Sequence, residues 1–216
     1  MGLRSAFQNL PKYLAIDTIK SYARKKGRME KISVLFGLKP IADNSKVSGH
    51  LKRQIKERIE ITGGLYAPDA PFSFAILKDN LNDYRFAYFI AYSLKSYKEH
   101  KELSEAAKEM LERLFTICPP SSIDICFDTP TRPDFEALGL FGEVSKPYRH
   151  YETRYINNPN LYGIDRVVIY DKALKDSLKA PLWRIEFTLP INQPLKYYEP
   201  PIDEMDRVII ALTETT

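Results

Sequence analysis

The chain has 216 residues, of which 44% are hydrophobic and 28% charged, and its formal net charge is +4. This length and composition are typical of a globular protein with one sizeable domain and at most a small appendage. No apolar run approaches the roughly 18 residues that a membrane-spanning helix needs, and the first residues lack the features of a secretory signal. We therefore expect a soluble, cytoplasmic protein that does not associate with membranes.

The cysteines and histidines are too sparse for a disulfide scaffold or a zinc site. Cys118 and Cys126 are expected to be reduced and packed, because the chain has no recognisable export signal. The histidines are isolated, and no pair of them has the spacing of metal ligands. The sequence therefore argues against zinc.

Positive charge is concentrated in the N-terminal third. Between residues 20 and 58 there are twelve Lys or Arg against three Asp or Glu, a local charge of +9, so the rest of the chain is slightly acidic. This distribution is typical of a protein that contacts nucleic acid, although a solvated helix surface would carry charge in the same way. The basic residues singled out here as DNA contacts are Arg24, Lys25, Lys26, Arg28, Lys52, Arg53 and Lys56.

Two helices are predicted in this N-terminal third. Over 11–26 the apolar side chains recur at helical spacing, and the Lys-Lys-Gly run that follows is typical of a helix end. Over 47–61 apolar residues repeat every four positions in an otherwise basic stretch, which predicts an amphipathic helix. We therefore expect a basic helical region in the first third of the chain.

A loop with two prolines at 67–71 is the best candidate for a domain boundary. It divides the chain into a basic helical DNA-contacting region over 1–66 and a second domain over 72–216. The last predicted element, over 203–212, reads as either a helix or a strand and has no closing cap. The sequence therefore leaves open whether the natural chain extends beyond Thr216.

Beyond residue 72 the pattern changes to β-rich segments separated by one clear helix. An apolar stripe predicts that helix over 102–118, where two prolines end it. The hairpin spacing of the last strands predicts antiparallel pairing. The expected fold class is α+β, with a mostly antiparallel sheet covered by one long helix. Strands are predicted over 72–77, 84–93, 123–127, 148–156, 166–170 and 183–189, with a helical turn over 134–140.

The last two predicted strands carry the most informative pattern in the chain. The first runs into Tyr-Asp-Lys at 170–172, and the second contains Arg-Ile-Glu-Phe, which places Arg184 and Glu186 together on the face opposite the apolar residues. With the preceding strands, over 121–189, this resembles the replication initiation factor family of rolling-circle plasmid and phage replication initiators and related relaxases. The resemblance implies an α+β initiator fold and a protein that nicks DNA with a tyrosine and a divalent metal ion.

Carboxylates supply a candidate metal site. Asp124 and Asp128 are four residues apart on one face of a strand, about 13 Å from each other, so a straight strand does not allow them to share a small ion. One of them can approach Glu186 across a ladder, where opposed side chains lie about 5 Å apart. The resemblance implies Mg²⁺ or Mn²⁺ on these oxygen ligands. Plain salt bridges to Lys172 and Arg184 are the alternative.

Tyrosines supply candidate nucleophiles. The resemblance implies that a tyrosine shortly before the Tyr-Asp-Lys segment attacks a phosphodiester and stays attached to the 5′ end. Tyr155 is the first candidate and Tyr170 the second, although each could simply pack in the sheet. A phenol with its ordinary pKa of about 10 needs a polarised phosphate or a nearby base. Lys172 and Arg184 are natural phosphate ligands and equally natural partners of nearby carboxylates.

The chain departs from the better-known rolling-circle endonucleases because it lacks their metal-binding His-hydrophobic-His triplet. Acidic ligands replace that triplet in the family that the chain resembles. The preferred function is therefore a DNA-binding replication initiator that nicks through a tyrosine. The alternatives are a non-catalytic origin-binding protein of the same fold and a metal-dependent nuclease that uses water. A protein without any nucleic-acid role is disfavoured by the basic N-terminal third.

The resemblance also implies the partners of such a protein. Its substrate would be single-stranded or hairpin DNA at a replication origin, and a replicative helicase would be its protein partner. No residue pattern in the chain points to a helicase independently of the resemblance.

Overall fold

A computed structural model describes residues 10–23, 39–40, 65–66, 73–77, 87–92, 109, 112–113, 115–145, 152–194 and 197–214. The chain forms two units. The first is built around residues 18–121, and the second combines 4–17 with 122–193 and 197–216. The boundary predicted at 67–71 lies outside the described residues, and that division of the chain stays a prediction.

Strands and helices alternate along the described chain. The strands are β1 (Leu14–Ala23), β2 (Lys39–Pro40), β3 (Leu65–Tyr66), β4 (Ser73–Leu77), β5 (Ala87–Tyr92), β6 (Pro120–Thr129), β7 (Arg154–Asn157), β8 (Arg166–Asp171) and β9 (Trp183–Pro190). Helical segments include a 3₁₀ helix (Ala137–Phe141), α1 (Lys172–Asp176) and α2 (Ile202–Thr213). Within the described residues, no helix is long and apolar enough to cross a membrane.

The predicted helix over 102–118 is described only in part. Residues 109, 112–113 and 115–117 are helical, in agreement with the prediction. Arg113 and Glu109 form an ion pair of 2.6 Å one turn apart on this segment. The expectation that this helix covers the sheet concerns residues outside the described part and stays a prediction.

Strand β1 replaces most of the helix that was predicted over 11–26, and that prediction is wrong. Thr18 and Ile19 point to opposite faces of the strand, yet both are buried. A strand that is buried on both faces has no polar–apolar alternation, so its apolar spacing can imitate that of a helix. β-Branched side chains and antiparallel pairing with the distant β5, in which Ile19 lies opposite Ala91, favour the strand.

The first unit contains antiparallel strands in the order β4-β5-β1. β2 and β3 form a separate antiparallel pair. The strands predicted over 72–77 and 84–93 are confirmed by β4 and β5. The basic helix predicted over 47–61 lies outside the described residues, so the helical character of the N-terminal region is not confirmed.

The second unit contains the strand order β6-β9-β8-β7, and each of these ladders is antiparallel. β1, whose residues up to Asp17 belong to this unit, is the next neighbour of β6. The strands predicted over 123–127, 166–170 and 183–189 are confirmed, and together with the helices they confirm an α+β fold with an antiparallel sheet.

The core of the second unit lies on one face of this sheet. Ile125 and Phe187 point to that face and are fully buried. Tyr13 lies on the same side, because its ring meets that of Phe127 edge-on with centroids 6.3 Å apart, and its hydroxyl donates a hydrogen bond of 2.8 Å to Asp206 of α2. Helix α2 therefore packs on the apolar face, which leaves the other face to polar residues.

Candidate functional site

The opposite face of the β6-β9-β8-β7 sheet, called the polar face below, carries most of the predicted site residues. The ladder registers arrange them in rows across the strands. The first row is Asn157, Arg166, Thr188 and Asp124; the second is Tyr155, Val168, Glu186 and Cys126; the third is Tyr170, Arg184 and Asp128. Neighbouring strands lie about 4.8 Å apart, so Tyr155 and Glu186 are separated by about two such spacings.

Arg184 forms a buried ionic cluster beneath the polar face. Its side chain has no exposed surface, and Nε and Nη2 lie 2.8 and 3.3 Å from the two carboxylate oxygens of Asp128. Nη1 lies 2.5 Å from Oδ1 of Asp17 on β1. A guanidinium in this position needs carboxylate partners, because an unpaired buried charge is strongly unfavourable.

This cluster bears on two expectations, both of which stay predictions. Arg184 was expected to contact phosphate, but in this structure its guanidinium is fully buried and held by two carboxylates. Asp128 was expected as a metal ligand together with Asp124, but both of its oxygens face Arg184. The salt-bridge alternative therefore describes Arg184 and Asp128, and it does so because they lie directly opposite each other in the β6–β9 ladder.

Asp124 and Glu186 form an acid pair that is independent of Asp128. Asp124 is 3% exposed and accepts a hydrogen bond of 2.8 Å from Oγ1 of Thr188. Burial raises the pKa of Glu186, and the negative charges of Asp124 and Asp17 raise it further, whereas Lys175 and Arg184 lower it. Asp124 and Glu186 are diagonal neighbours in the β6–β9 ladder, and the charge of Asp124 therefore disfavours ionisation of Glu186.

Asp124 and Glu186 are candidates to hold the divalent metal ion that the sequence resemblance implies. Among the described residues, no group of three or more His, Cys, Asp or Glu side chains could hold a metal ion. Mg²⁺, however, is commonly held by one or two carboxylates together with substrate phosphates. Of the predicted ligands, Asp124 and Glu186 would suit such an ion, because a divalent cation would relieve their mutual repulsion, whereas the oxygens of Asp128 contact Arg184.

Tyr170 supports the acid pair from the neighbouring strand. It is 5% exposed, and its hydroxyl donates a hydrogen bond of 3.2 Å to Oε2 of Glu186. Burial raises its pKa well above the ordinary value, and the charge of Glu186 adds to this effect. The ammonium of Lys175 lies 4.4 Å from the centre of its ring. A buried phenol that keeps its proton this firmly is suited to orienting Glu186 and poorly suited to attack.

Tyr155 lies on the edge strand β7, in the same row as Glu186. It is only partly buried, in contrast to Tyr170. Ser145 fixes its backbone, because the Ser145 N–H donates to the Tyr155 carbonyl at 2.9 Å and the Tyr155 N–H donates to the Ser145 hydroxyl at 3.3 Å. The structure thus brings Tyr155 and the acid pair to one face, with the phenol at the accessible edge.

The Tyr-Asp-Lys segment has a local structural role that the sequence did not predict. Asp171 caps α1 by accepting a hydrogen bond of 2.7 Å from the backbone N–H of Leu174. Lys172 is buried, and its ammonium forms an ion pair of 2.9 Å with Asp176. In this structure the charge of Lys172 is therefore paired within α1. Its expected contact with phosphate stays a prediction.

Two residues of the polar face were missed by sequence reasoning. Asp17 was read as part of a helix, and only its position in β1 brings it to Arg184. Arg166, the first residue of β8, was not singled out, although it lies between Tyr155 and the acid pair.

The DNA contacts predicted in the N-terminal third concern residues that the structure does not describe. Arg24, Lys25, Lys26, Arg28, Lys52, Arg53 and Lys56 all lie outside the described residues. Their contact with DNA stays a prediction that rests on the charge distribution of the sequence.

Comparison with known proteins shows a distant likeness to a solved structure. No protein-family model matches the sequence, and no curated protein matches it. Among solved structures, the rolling circle replication initiator protein from Geobacillus stearothermophilus is similar, with a TM-score of 0.48 and 14% sequence identity. The alignment covers 92% of this chain and 77% of that chain.

Proposed function

We propose that this protein is a DNA-binding replication initiator that nicks a DNA strand through Tyr155, with Asp124 and Glu186 as ligands of Mg²⁺ or Mn²⁺. The observation that carries the proposal is the polar face itself. One row of the sheet holds Tyr155 and Glu186, which are both half-buried, and the next row holds Asp124, whose charge raises the pKa of Glu186.

The proposed step is a transfer of the phosphodiester from a sugar oxygen to a phenol. The Tyr155 oxygen attacks phosphorus, the bond to the 3′ oxygen breaks, and the 5′ end stays attached as a phosphotyrosine. The phenol proton passes to solvent or a nearby carboxylate, and the departing 3′ oxygen takes a proton from water. A bound divalent cation would polarise the phosphate and stabilise the charge that develops on it.

The remaining residues of the site hold these groups in position. Tyr170 orients Glu186 through its hydrogen bond, and Thr188 does the same for Asp124. Arg184 fixes β9 against β6 and lowers the pKa of Glu186, which favours the ionised form that a cation needs. Tyr170 is the weaker nucleophile candidate, because it is buried and its raised pKa disfavours the phenolate.

The test is covalent adduct formation. The protein is incubated with labelled single-stranded and hairpin DNA and Mn²⁺ or Mg²⁺, and the products are separated on a denaturing gel. A slower band that forms with the wild type and with Tyr162→Phe but not with Tyr155→Phe supports the proposal, since Tyr162 is 85% exposed and is a matched surface control. Asp124→Asn and Glu186→Gln are expected to abolish the band without abolishing DNA binding.

The other outcomes identify the alternatives. A band that survives Tyr155→Phe and disappears with Tyr170→Phe keeps the function and moves the nucleophile. Metal-dependent cleavage without any adduct points to a nuclease that uses water. Salt-sensitive DNA binding without cleavage points to a non-catalytic origin-binding protein. A helicase partner would be sought by pull-down only after adduct formation is established.

A further inference from the structure

The guanidinium of Arg166 is only loosely engaged by the part of the chain that the structure describes. Its Nη2 lies 4.0 Å from Oε1 of Glu186, which is the outer limit of an ion pair. Its Nε is buried and has no hydrogen-bond partner among the described residues. Arg184 on the next strand differs completely, since two carboxylates hold it. Arg166 therefore offers hydrogen-bond donors that the described protein residues do not satisfy.

Its position places these donors at the centre of the proposed site. Arg166 lies opposite Asn157 on one side and Thr188 on the other. Tyr155 and Glu186 both lie opposite Val168, two residues further along β8, so Arg166 is diagonal to each of them. Diagonal neighbours are about 7–8 Å apart between backbones, a distance that a long side chain spans. The side chain is also 39% exposed, so a ligand can reach it from solvent.

The N–H groups of Arg166 indicate which kind of ligand would bind. Arginine presents its N–H groups as a planar fork that matches two oxygens of one anion. An anion here also lies beside the acid pair, so it must tolerate nearby negative charge or share a cation with it. A phosphodiester fits, because the fork can contact both of its non-bridging oxygens and a cation held by the acid pair would offset the repulsion.

We infer that Arg166 binds a phosphodiester of the DNA strand, between the Tyr155 hydroxyl and the Asp124–Glu186 pair. This inference rests on the proposed function for its location, and it assigns the residue that holds the phosphate in place of Arg184. Arg166 receives the phosphate and orients it toward Tyr155. Its loose contact with Glu186 is exchanged for the phosphate when DNA binds.

The experiment measures binding rather than cleavage. In a Tyr155→Phe background, the affinity for a fluorescently labelled mixed-sequence single-stranded oligonucleotide is followed by anisotropy at rising NaCl in EDTA. Each phosphate contact to a single strand contributes about 0.7 to the slope of log affinity against log salt. Arg166→Gln is expected to weaken binding and to make the slope shallower by about this amount. The difference is expected to vanish on an oligonucleotide with a neutral methylphosphonate backbone.

Two further variants separate a specific contact from a loss of charge or of fold. Arg207→Gln removes a positive charge from α2, where the side chain is 62% exposed, and is expected to leave the slope unchanged. Arg166→Lys keeps the charge without the fork, so it is expected to keep the slope and lose affinity. Thermal melts of both Arg166 variants check that they are folded.

The outcomes distinguish this inference from the proposed function. An unchanged slope and affinity in Arg166→Gln, or no DNA binding at all, overturns the phosphate contact. If the slope changes as expected but the wild type forms no covalent adduct, the contact stands and tyrosine nicking fails. If the adduct forms, Arg166→Gln is expected to slow its formation by roughly 10²–10³-fold, as for the loss of one donor to a developing anion.

Discussion

Arg184 and Asp128 face each other across the β9–β6 ladder and are joined by two contacts, Nε to Oδ1 at 2.8 Å and Nη2 to Oδ2 at 3.3 Å. Two-point contact fixes the plane of the guanidinium. Asp17 then binds its remaining side, so one buried cation joins three strands. The charge of Arg184 is therefore neutralised within the sheet, and we expect the proposed reaction to require an intact cluster.

Removal of Arg184 is expected to be severely destabilising. Arg184→Ala leaves Asp17 and Asp128 without their cation in a buried position, and breaking a buried pair in this way costs about 3–5 kcal/mol. Urea unfolding followed by circular dichroism measures the loss. The control is Arg207→Ala, because its pair with Glu204 is exposed and is expected to contribute less than about 1 kcal/mol. Equal losses for both variants would contradict the structural role of the cluster.

The stability of the protein is expected to depend on pH through Glu186. Its folded-state pKa is raised above the reference value of 4.5, so the unfolded state releases this proton at lower pH than the native state does. The stabilising contribution is complete below about pH 4.5 and is lost as pH rises through the folded-state pKa. Each unit of elevation corresponds to about 1.4 kcal/mol.

The variant Glu186→Gln isolates this contribution. It removes the ionisable group and keeps an oxygen that can accept from Tyr170. In EDTA, the difference in unfolding free energy between Glu186→Gln and the wild type is expected to increase from pH 4.5 upward. Chemical denaturation at several pH values measures this difference. A difference that is independent of pH would show that Glu186 titrates alike in the folded and unfolded states.

Divalent cations are expected to stabilise the fold through the acid pair. A ligand that binds only the native state adds about 2.7 kcal/mol at a concentration one hundred times its Kd. Mn²⁺ or Mg²⁺ should therefore raise the Tm of the wild type, and Asp124→Asn and Glu186→Gln should abolish that rise. Differential scanning fluorimetry with and without EDTA measures it, independently of any reaction.

The matched control for the metal experiment is Glu152→Gln. Glu152 is an exposed carboxylate that pairs with Arg132 at 3.2 Å, away from the polar face. This variant is expected to keep the full metal-dependent rise in Tm. A rise that persists in both acid-pair variants would place the metal elsewhere or make its effect non-specific.

Loss of the side-chain cap of α1 is expected to lower the free energy of unfolding measurably. Asp171→Ala removes the acceptor for the Leu174 N–H, and the loss of an N-cap side chain typically costs about 1 kcal/mol. Asp171→Asn keeps an acceptor oxygen and should cost only a fraction of this. Urea titrations of the two variants measure the difference. If adduct formation also falls in Asp171→Ala but not in Asp171→Asn, the position of Lys172 or Lys175 matters for the reaction.

Local sequence patterns predicted which residues of β9 share the polar face, but not the distant residues that contact them. Strict alternation in 183–189 placed Arg184 and Glu186 on one face, as the structure has them, whereas cross-strand spacing left open whether Asp124 or Asp128 approaches Glu186. The partner Asp17 is separated from Arg184 by 167 residues, and no local pattern encodes such a contact. Because β1 is buried on both faces, its apolar spacing resembles that of a helix. Asp17, which completes the ionic cluster, was therefore assigned to a helix rather than to a strand.

The contact between Tyr13 and Asp206 spans 193 residues of sequence, and that between Asp17 and Arg184 spans 167. The second unit therefore cannot close until residues near 206 have left the ribosome. Contacts of such sequence separation form late and slowly, because the intervening chain must first be brought together. The ionic cluster needs the chain only as far as Arg184, whereas the Tyr13–Asp206 contact must wait for α2. A nascent or truncated chain that lacks α2 would leave part of the apolar face of β6 uncovered, which favours chaperone binding.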